Sequence, residues 1–595
     1  MSGQYAVGID LGTSTSGIAV FRSGKPEVIK INEESFSPLI PSIVALNDQN
    51  QVVIGPEAVS YADQGSGIRE IKRSMESGEM AVLGDKTYRP EQISALILKK
   101  LKTEAEFVYD IPITEVVLSV PAIFNDIGKH NTIMAAELAG LKVKRLISEP
   151  TAAVMAFGIE QLDVDEKILV FDFGGGTLDI STVEMMDEVI DVSGTYGDSQ
   201  LGGKDFDQVI MDLIIEKVKA DQGVDINLNP AVLHQLKSYA EKCKIELSSK
   251  ERVTLDLPFM GSIYAAESSL VEITRAEFEA AAVDLLARAR TCLMNALEVT
   301  NSSPEDIDRV LLVGGSSYIP AVRKMLAEIF TCPLSMDVPP DLAVSMGTAI
   351  FAASLMGQTD LMLIDGYAWG IGTDILVQRG DNYLVVYDSL AKPNTTIPYS
   401  VTKSYNLITP DQDTLEVSVY QTLDPRATSL AEVIHTGKSA QITEIPPSNT
   451  GSPHAVEIDF AIDTNQTIKL KACIPATGQE LNISFSSSEL RLEDPEDIAK
   501  AKAEVDELWN TNPQSRVLGG DRVPAAAALE EPDPDLDLVE SALERRARSL
   551  AEMVEGHERE KILTLLNRIS AARRSDDAAS VEAAEDDLVE LLMEL

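Results

Sequence analysis

The chain has 595 residues, and its composition, 44% hydrophobic and 5% aromatic, is typical of a soluble globular protein with several domain-sized units. An excess of acidic residues gives a formal net charge of −45, which argues against electrostatic binding of nucleic acid or of an anionic membrane. Four widely spaced cysteines and five scattered histidines argue against a disulfide framework or a zinc site and predict a reducing, cytoplasmic location.

Strand and helix patterns alternate over residues 4–357, which predicts an α/β domain. The first residues enter a strand directly, so we expect no secretory signal, and no apolar run is long enough for a membrane span. Among the individual elements we predict a strand at 115–120, a helix at 131–139 and one long Ala-rich helix at 276–297.

Three glycine turns in this domain each follow an apolar strand. Glycine lets backbone N–H groups face an anion with no Cβ in the way, and an acid at a strand end can hold Mg²⁺ through water molecules. The first two turns repeat one pattern half a domain apart, so they look like one unit used twice and could clamp a polyphosphate from two sides. The sequence therefore predicts a nucleotide site. Its turn residues are Asp10, Gly12, Thr13 and Ser14, then Asp172, Gly174, Gly175, Gly176 and Thr177, and finally Gly314, Gly315 and Ser316.

The remaining chain changes character three times. Residues 358–366 hold a short apolar run between two acids, which is either one more buried strand or an interdomain linker that docks in one nucleotide state. Residues 367–488 alternate apolar and polar residues in short runs between turns, which predicts an antiparallel β-sandwich. Beyond these, a helix is predicted within 489–510, a flexible Pro-, Gly- and Ala-rich spacer over 511–535, and amphipathic helices over 536–595.

With these motifs located, the chain resembles the DnaK-type chaperones of the seventy-kilodalton heat-shock family, strongly over the first 360 residues and more weakly to about residue 488. The resemblance implies a multidomain protein with a duplicated, two-lobed, actin-like α/β ATPase domain, an antiparallel β-sandwich that binds peptides, and an α-helical C-terminal lid. The motifs that carry it are, in order, Ile9-Asp10-Leu-Gly-Thr, Glu149-Pro-Thr-Ala-Ala, Phe171-Asp-Phe-Gly-Gly-Gly-Thr, Leu201-Gly-Gly-Lys-Asp-Phe-Asp and Val313-Gly-Gly-Ser.

The resemblance also implies roles for individual residues at a site for ATP or ADP with Mg²⁺. Asp10 and Asp172 hold the metal through its waters, and Lys72 orients the γ-phosphate and the attacking water. Glu149 helps to position water or metal, and Asp179 assists a site for a monovalent cation such as K⁺. Thr177 counts with the catalytic residues. The implied nucleotide contacts are Gly12, Thr13, Ser14, Gly174, Gly175, Gly176, Gly202, Gly203, Glu241, Lys244, Ser248, Gly314, Gly315, Ser316 and Asp341.

Two positions on the nucleoside side depart from simple patterns. Tyr318 stands where the family has an arginine that covers the adenine, and an aromatic ring could stack there instead. The Gly203-Lys204 pair is not a Walker motif, because Asp198 stands where the first glycine should be and Asp205 stands where Ser or Thr is required.

In the β region, the resemblance implies an apolar pocket for an extended peptide, formed by Leu415 and Val417 with Ile408 arching above. The alternative is that these side chains are ordinary sandwich core. Thr373 is polar where the family has an aliphatic wall, so the pocket's specificity could differ. Arg145 and Asp365 match positions that contact J-domain cochaperones. The implied partners are extended or unfolded client polypeptides, a J-domain cochaperone and a nucleotide-exchange factor.

The leading hypothesis is a slow, Mg²⁺-dependent ATP hydrolase that acts as a peptide chaperone in protein folding and the stress response. A second hypothesis is a regulatory or adaptor relative that uses nucleotide as a conformational switch with little client work. A small-molecule kinase or an actin-like filament protein is a third, which the β-rich second half disfavours.

Overall fold

A computed structural model describes residues 5–30, 38–159, 165–186, 188–223, 225–226, 229–264, 270–379, 382–464, 466, 468–484, 492, 494–513, 561–566 and 568–569. The predicted spacer beyond residue 513 and nearly all of the predicted C-terminal helices lie outside these residues. Of that segment, only 561–566 and 568–569 are described, and they are helical. No helix in the described part of the chain is both long enough and apolar enough to cross a bilayer.

The first lobe is built on a sheet with strand order β11-β10-β1-β2-β3. Strand β1 pairs antiparallel with β2 and parallel with β10. The lobe contains β1 (Ala6–Leu11), β2 (Thr15–Arg22), β3 (Lys25–Val28), β4 (Ile40–Pro41), β5 (Val44–Leu46), β6 (Val52–Ile54), α1 (Ala58–Asp63), β7 (Gly67–Ile68), β8 (Ala81–Leu83), β9 (Lys86–Tyr88), α2 (Pro90–Tyr109), β10 (Glu115–Val120), α3 (Asp126–Leu138), β11 (Lys142–Ser148) and α4 (Glu149–Gly158).

The second lobe repeats this strand order in a sheet ordered β18-β17-β12-β13-β14-β19. Here β12 pairs antiparallel with β13 and parallel with β17, as β1 does with β2 and β10. The lobe contains β12 (Glu166–Phe173), β13 (Leu178–Met186), β14 (Val189–Asp198), α5 (Gly203–Gln222), α6 (Pro230–Leu247), β15 (Arg252–Asp256), α7 (Pro258–Tyr264), β16 (Leu270–Thr274), α8 (Arg275–Ala281), α9 (Val283–Val299), β17 (Arg309–Val313), α10 (Pro320–Ile329), β18 (Leu334–Ser335), α11 (Ala343–Ser354) and β19 (Met362–Ile364).

Two of the local predictions need correction. The helix predicted at 131–139 begins earlier, because the side chain of Asn125 accepts a hydrogen bond from the N–H of Gly128 and so caps a helix that starts at Asp126. The single helix predicted at 276–297 is wrong. Ala282, at φ −89° and ψ 7°, separates α8 from α9, and the alanine-rich sequence gives no local signal for this interruption. Both segments still bury side chains in the core of the second lobe.

The segment predicted as a linker or a buried strand is a strand at a sheet edge. Its central residues form β19, which pairs in parallel with β14 of the second lobe. Leu361, which precedes the strand, is buried, whereas Met362 and Ile364 remain exposed. The segment is therefore docked on the second lobe by backbone hydrogen bonds rather than by burial of its whole apolar run.

Residues 366–484 form two facing four-stranded antiparallel sheets, ordered β22-β21-β25-β26 and β24-β27-β28-β29, with a small β20-β23 pair beside them. Side chains such as Val419 and Phe460 alternate inwards and fill the core between the sheets. The strands are β20 (Gly366–Tyr367), β21 (Gly370–Arg379), β22 (Asn382–Ala391), β23 (Thr395–Thr396), β24 (Tyr399–Asn406), β25 (Leu415–Thr422), β26 (Ile434–Ile442), β27 (Ala455–Ile462), β28 (Ile468–Ile474) and β29 (Gln479–Ser484).

The helix after the sandwich, α12 (Pro495–Thr511), lies against the first lobe. Its Ala501, Val505 and Trp509 are buried in the core that α2 and α3 provide. Lys99 of α2 lies over the Trp509 ring, 5.5 Å from its centre, and also pairs with Asp506. The element predicted as the first lid helix thus packs on the first lobe in this structure.

Candidate functional site

Two acids lie near the ends of equivalent strands of the two lobes, Asp172 buried and Asp10 half-buried. Asp10 is the next-to-last residue of β1 and accepts a hydrogen bond from the hydroxyl of Ser119 at 2.7 Å. Asp172 lies near the end of β12, opposite Asp179 on β13. One carboxylate oxygen of Asp172 and one of Asp179 are buried without a hydrogen-bond partner among the described residues. Such orphaned oxygens fit a hydrated cation, because its bound waters would supply the missing donors.

Burial is the main cause of the raised pKa values of these acids. It raises the pKa of Asp10, against the opposing effects of Lys72 and Ser119. It raises the pKa of Asp172 well above its usual value, and the charges of Glu149, Asp179 and Asp10 add to the shift. Burial also raises the pKa of Asp179 to about 6, although the N–H of Ile123 donates to its carboxylate. The cluster therefore carries more negative charge than its own residues can balance.

Lys72 is the cation within this cluster. It lies on a 3-10 turn, Ile71–Ser74, is 5% exposed and donates to the carboxylate of Glu149 at the start of α4. Burial lowers the pKa of Lys72, but Glu149, Asp10 and Asp179 outweigh that effect and the net shift is upward. Burial raises the pKa of Glu149 to about 7, helped by the charges of Asp10 and Asp179 and opposed by Lys72. One lysine facing four acids leaves room for a divalent cation.

The three predicted glycine turns meet around this cluster. A Cβ on Gly176 would lie 2.6 Å from the hydroxyl oxygen of Thr13, and one on Gly175 would lie 2.1 Å from that of Ser14, so the first two turns face each other. The hydroxyl of Ser316, in the third turn, donates to the carbonyl of Gly174 at 2.8 Å. Gly314 adopts φ +76°, a conformation that favours glycine.

The start of α5 abuts the same loop. The N–H groups of Gly203 and Lys204 donate to the carbonyls of Gly174 and Gly175 at 3.0 and 2.9 Å. The structure therefore brings all the predicted phosphate-side residues together, including Gly12, Thr177, Gly202 and Gly315.

The nucleoside side holds a network of ion pairs between α5 and α6. Lys244 lies 2.7 Å from Asp207 and also donates to the carbonyl of Gly203, while Lys204 lies 3.0 Å from Glu241. Ser248 bonds only the backbone of its own helix among the described contacts, at Lys244. Sequence reasoning missed Lys204 and Asp207, although both lie inside the motif that starts at Leu201.

Tyr318 and Asp341 form a pair beside the third turn. Burial, followed by the charge of the neighbouring Asp341, raises the pKa of Tyr318. Tyr318 is 37% exposed. The nearby Gly315 borders open space, because a Cβ added to it would meet no atom within 4 Å. An aromatic surface beside an open glycine turn is suited to stacking a base.

The three residues predicted for a peptide pocket lie in different surroundings. Ile408 is 61% exposed, Leu415 is half-buried, and Val417 belongs to the sandwich core. Thr373 is buried and donates to the carbonyl of Ser418 at 2.9 Å. Buried Val417 fits the alternative reading of ordinary core, whereas Ile408 is free to contact another chain.

Sequence reasoning missed an apolar ribbon in the β region. Strand β21 pairs with β25 only over Gly370–Thr373, so the hairpin of β21 and β22 continues beyond the sheet as two strands alone. Among the described residues this hairpin exposes four large apolar side chains. They are Leu376, Tyr383, Leu384 and Val385. Successive side chains on a strand point to opposite faces, so consecutive apolar residues indicate a ribbon that is apolar on both faces. The run from Tyr383 to Val385 could have predicted this surface from the sequence.

A buried polar cluster joins the two lobes' domain to the sandwich. Gln466, in the turn between β27 and β28, donates to Asp365 at 3.0 Å and accepts from Lys129 of α3 at 2.5 Å. Lys129 also lies 4.3 Å from the centre of the Tyr367 ring. Burial lowers the pKa of Lys129 to about 8 and raises that of Asp365. Arg145 is close enough that the charge of Asp365 partly offsets the lowering of its pKa by burial.

A second contact stabilises the same interface, because the indole N–H of Trp369 donates to the carbonyl of Ile123 at 3.0 Å.

The chain was also compared with known protein families. The family model described as Hsp70 protein matches residues 6–79 and 72–595 of the chain.

Proposed function

The chain belongs to the Hsp70 family of chaperones, and from this premise we propose that it is an ATP hydrolase that uses hydrolysis to control the binding and release of extended polypeptides. The observation that carries the proposal is the cluster of four acids and Lys72, of which only Asp10 is not fully buried, enclosed by three glycine turns. Such a cluster is costly to fold without a ligand, because buried like charges repel one another. The divalent cation that accompanies a nucleotide would relieve that cost.

The residues of the chain would act mainly by positioning. Phosphoryl transfer to water needs alignment and charge stabilisation more than a strong base. Lys72, held by Glu149, would orient the terminal phosphate and the water that attacks it. Asp10 and Asp172 would hold Mg²⁺ through its waters, and the metal would neutralise the phosphate oxygens. The backbone N–H groups of the first two glycine turns would hold the phosphates from two sides.

Coupling would pass through the linker. β19 extends the sheet of the second lobe, and Asp365 at its end reaches both Lys129 and the sandwich through Gln466. A nucleotide that changes the angle between the lobes would alter these contacts and, through them, the sandwich. We propose extended apolar polypeptides as clients because the ribbon of β21 and β22 exposes apolar side chains.

The cellular setting follows the same premise. The four cysteines are free, which fits a cytoplasmic protein. A J-domain cochaperone at Arg145 and Asp365 and a nucleotide-exchange factor are the partners we propose. In this docked arrangement Asp365 is 7% exposed, so a cochaperone could reach it fully only after the interface loosens.

The test is the off-rate of a labelled, Leu-rich extended peptide from the full chain, measured with ADP and then with ATP. We expect release to be much faster with ATP. Equal off-rates would contradict coupling between the two domains. Tight ATP binding without any peptide binding would contradict the chaperone proposal and favour the adaptor.

A further inference from the structure

Arg73 follows Lys72 on the same 3-10 turn and points towards the opposite lobe. The turn packs on α2 of the first lobe and is entered through Glu70, which has φ +60°. A non-glycine residue with this φ is uncommon and is held only where the surroundings demand it. The entry to the turn therefore fixes the directions in which Lys72 and Arg73 leave the backbone.

The guanidinium of Arg73 crosses the cleft and makes two contacts with the second lobe. One nitrogen donates to the carbonyl of Gly176 at 3.0 Å and to Asp205 at 2.8 Å. Asp205 in turn accepts from the N–H of Gly202 at 2.7 Å, at the start of α5. One arginine thus ties both the glycine loop and the start of α5 to the first lobe.

A further donor of the Arg73 side chain, its Nε–H, also lies near the glycine loop. The Nε–H of Arg73 is buried and makes no hydrogen bond among the described residues. If Gly176 carried a Cβ, that atom would lie 3.1 Å from the Nε of Arg73 and 2.6 Å from the hydroxyl oxygen of Thr13. The unused donor therefore faces the gap between the first two glycine turns, where an anion would lie.

We propose that Arg73 is a positioning residue for the terminal phosphate, which makes the site distinguish ATP from ADP. It draws the glycine loop of the second lobe against the first lobe and offers a spare N–H to an anion in the gap. Arginine suits this task because its planar fork presents five N–H donors in fixed directions, whereas lysine offers a compact point charge. The inference rests on the proposed function, since it specifies how that nucleotide site reads the third phosphate.

The test compares ATP and ADP affinities of the full chain in Arg73→Met and Arg73→Lys variants by calorimetry. We expect Arg73→Met to weaken ATP binding by about tenfold while ADP affinity changes by less than about twofold, as for the loss of a charge-assisted hydrogen bond. Arg73→Lys should regain only part of the ATP affinity. Single-turnover hydrolysis should slow in the same order.

Arg69→Met is the matched control. Arg69 also spans the lobes, with one nitrogen 2.6 Å from Asp63 and 3.2 Å from the hydroxyl of Ser238, but these contacts lie away from the glycine loop. Its loss should change ATP and ADP affinity by the same factor. Equal losses in Arg73→Met would reduce Arg73 to a structural tie and overturn the inference, as would unchanged ATP affinity. Wild-type protein that bound neither nucleotide would instead overturn the proposed function itself.

Discussion

The nucleotide cleft and the β-sandwich present opposite kinds of binding surface. In the cleft, Lys72 and the acids around it are buried or half-buried, and hydrogen bonds hold Lys72 to Glu149 and Ser119 to Asp10. In the sandwich, the ribbon of β21 and β22 exposes Leu384 and Val385 to solvent at 45% and 52%. A phosphate chain needs charges at fixed positions, whereas an unfolded segment needs apolar area and backbone partners. In the proposed chaperone cycle, the cleft would therefore act through fixed charges and the sandwich through apolar area.

The largest expected effect comes from breaking the charged side of this contrast. Lys72→Ala leaves the four acids of the cluster without their lysine, so we expect ATP turnover to fall by at least about 100-fold, as when one preorganised charge is removed from a phosphoryl-transfer site. Steady-state phosphate release measures it. Lys100→Ala is the control, because Lys100 is equally buried on α2 but pairs with Glu104 at 2.9 Å outside the cleft. Normal turnover in Lys72→Ala, with turnover lost in the control, would show the site to be misassigned.

A charged substitution on the ribbon of β21 and β22 tests the apolar binding surface. Leu384→Asp places a carboxylate where an apolar segment would pack, so we expect peptide affinity in ADP to fall by about tenfold with ATP turnover unchanged. Fluorescence anisotropy of a labelled peptide measures the affinity. Val82→Asp, at an exposed apolar residue of the first lobe, should leave it unaltered. If Ile408→Asp weakens binding and Leu384→Asp does not, the peptide site lies at the arch and not on the ribbon.

The same contrast explains what the sequence could predict. Phosphate binding demands glycine, acid and hydroxyl residues in fixed order, so the turns around Asp10 and Asp172 are visible as motifs, and the repeated strand order follows from them. Peptide binding demands only apolar alternation, which any sandwich core also shows, and so Val417 could not be told from core. The resting place of α12 on the first lobe depends on complementary surfaces far apart in sequence. Trp509 beside Lys99 carries no local signal of that kind.

A smaller effect is expected where the two regions meet. Gln466→Gly removes the side chain that joins Asp365 to Lys129, and glycine keeps the φ of +61° that this turn requires. We expect basal ATP turnover and peptide affinity in ADP to stay within about twofold, while the ATP-induced acceleration of peptide release falls several-fold, since a coupling free energy of 1–3 kcal/mol is typical of such contacts. Stopped-flow release with ATP measures it. Acceleration as in the wild type would show that β19 alone transmits the signal.

The smallest expected effect is a pH dependence confined to the cleft. The pKa of Glu149 is raised to about 7 in the folded protein, so Glu149 binds its proton more tightly there than in the unfolded chain. Stability from its neutral form is present at low pH and is lost as the pH rises from about 4.5 through 7. Without nucleotide, the thermal transition of the ATPase lobes should therefore fall over this range.

The comparison with Glu149→Gln isolates that contribution. Glutamine has no charge to lose, so the variant should show a shallower decline, and both proteins should share whatever slope the net charge of −45 imposes. Wild-type protein with ADP and Mg²⁺ should approach the variant's slope, because ligands in the cleft compensate the ionised acids. Identical slopes in the two proteins would mean that Glu149 stays ionised beside Lys72. Lys72 would then neutralise Glu149, and the unbalanced negative charge of the cleft would lie on Asp10, Asp172 and Asp179.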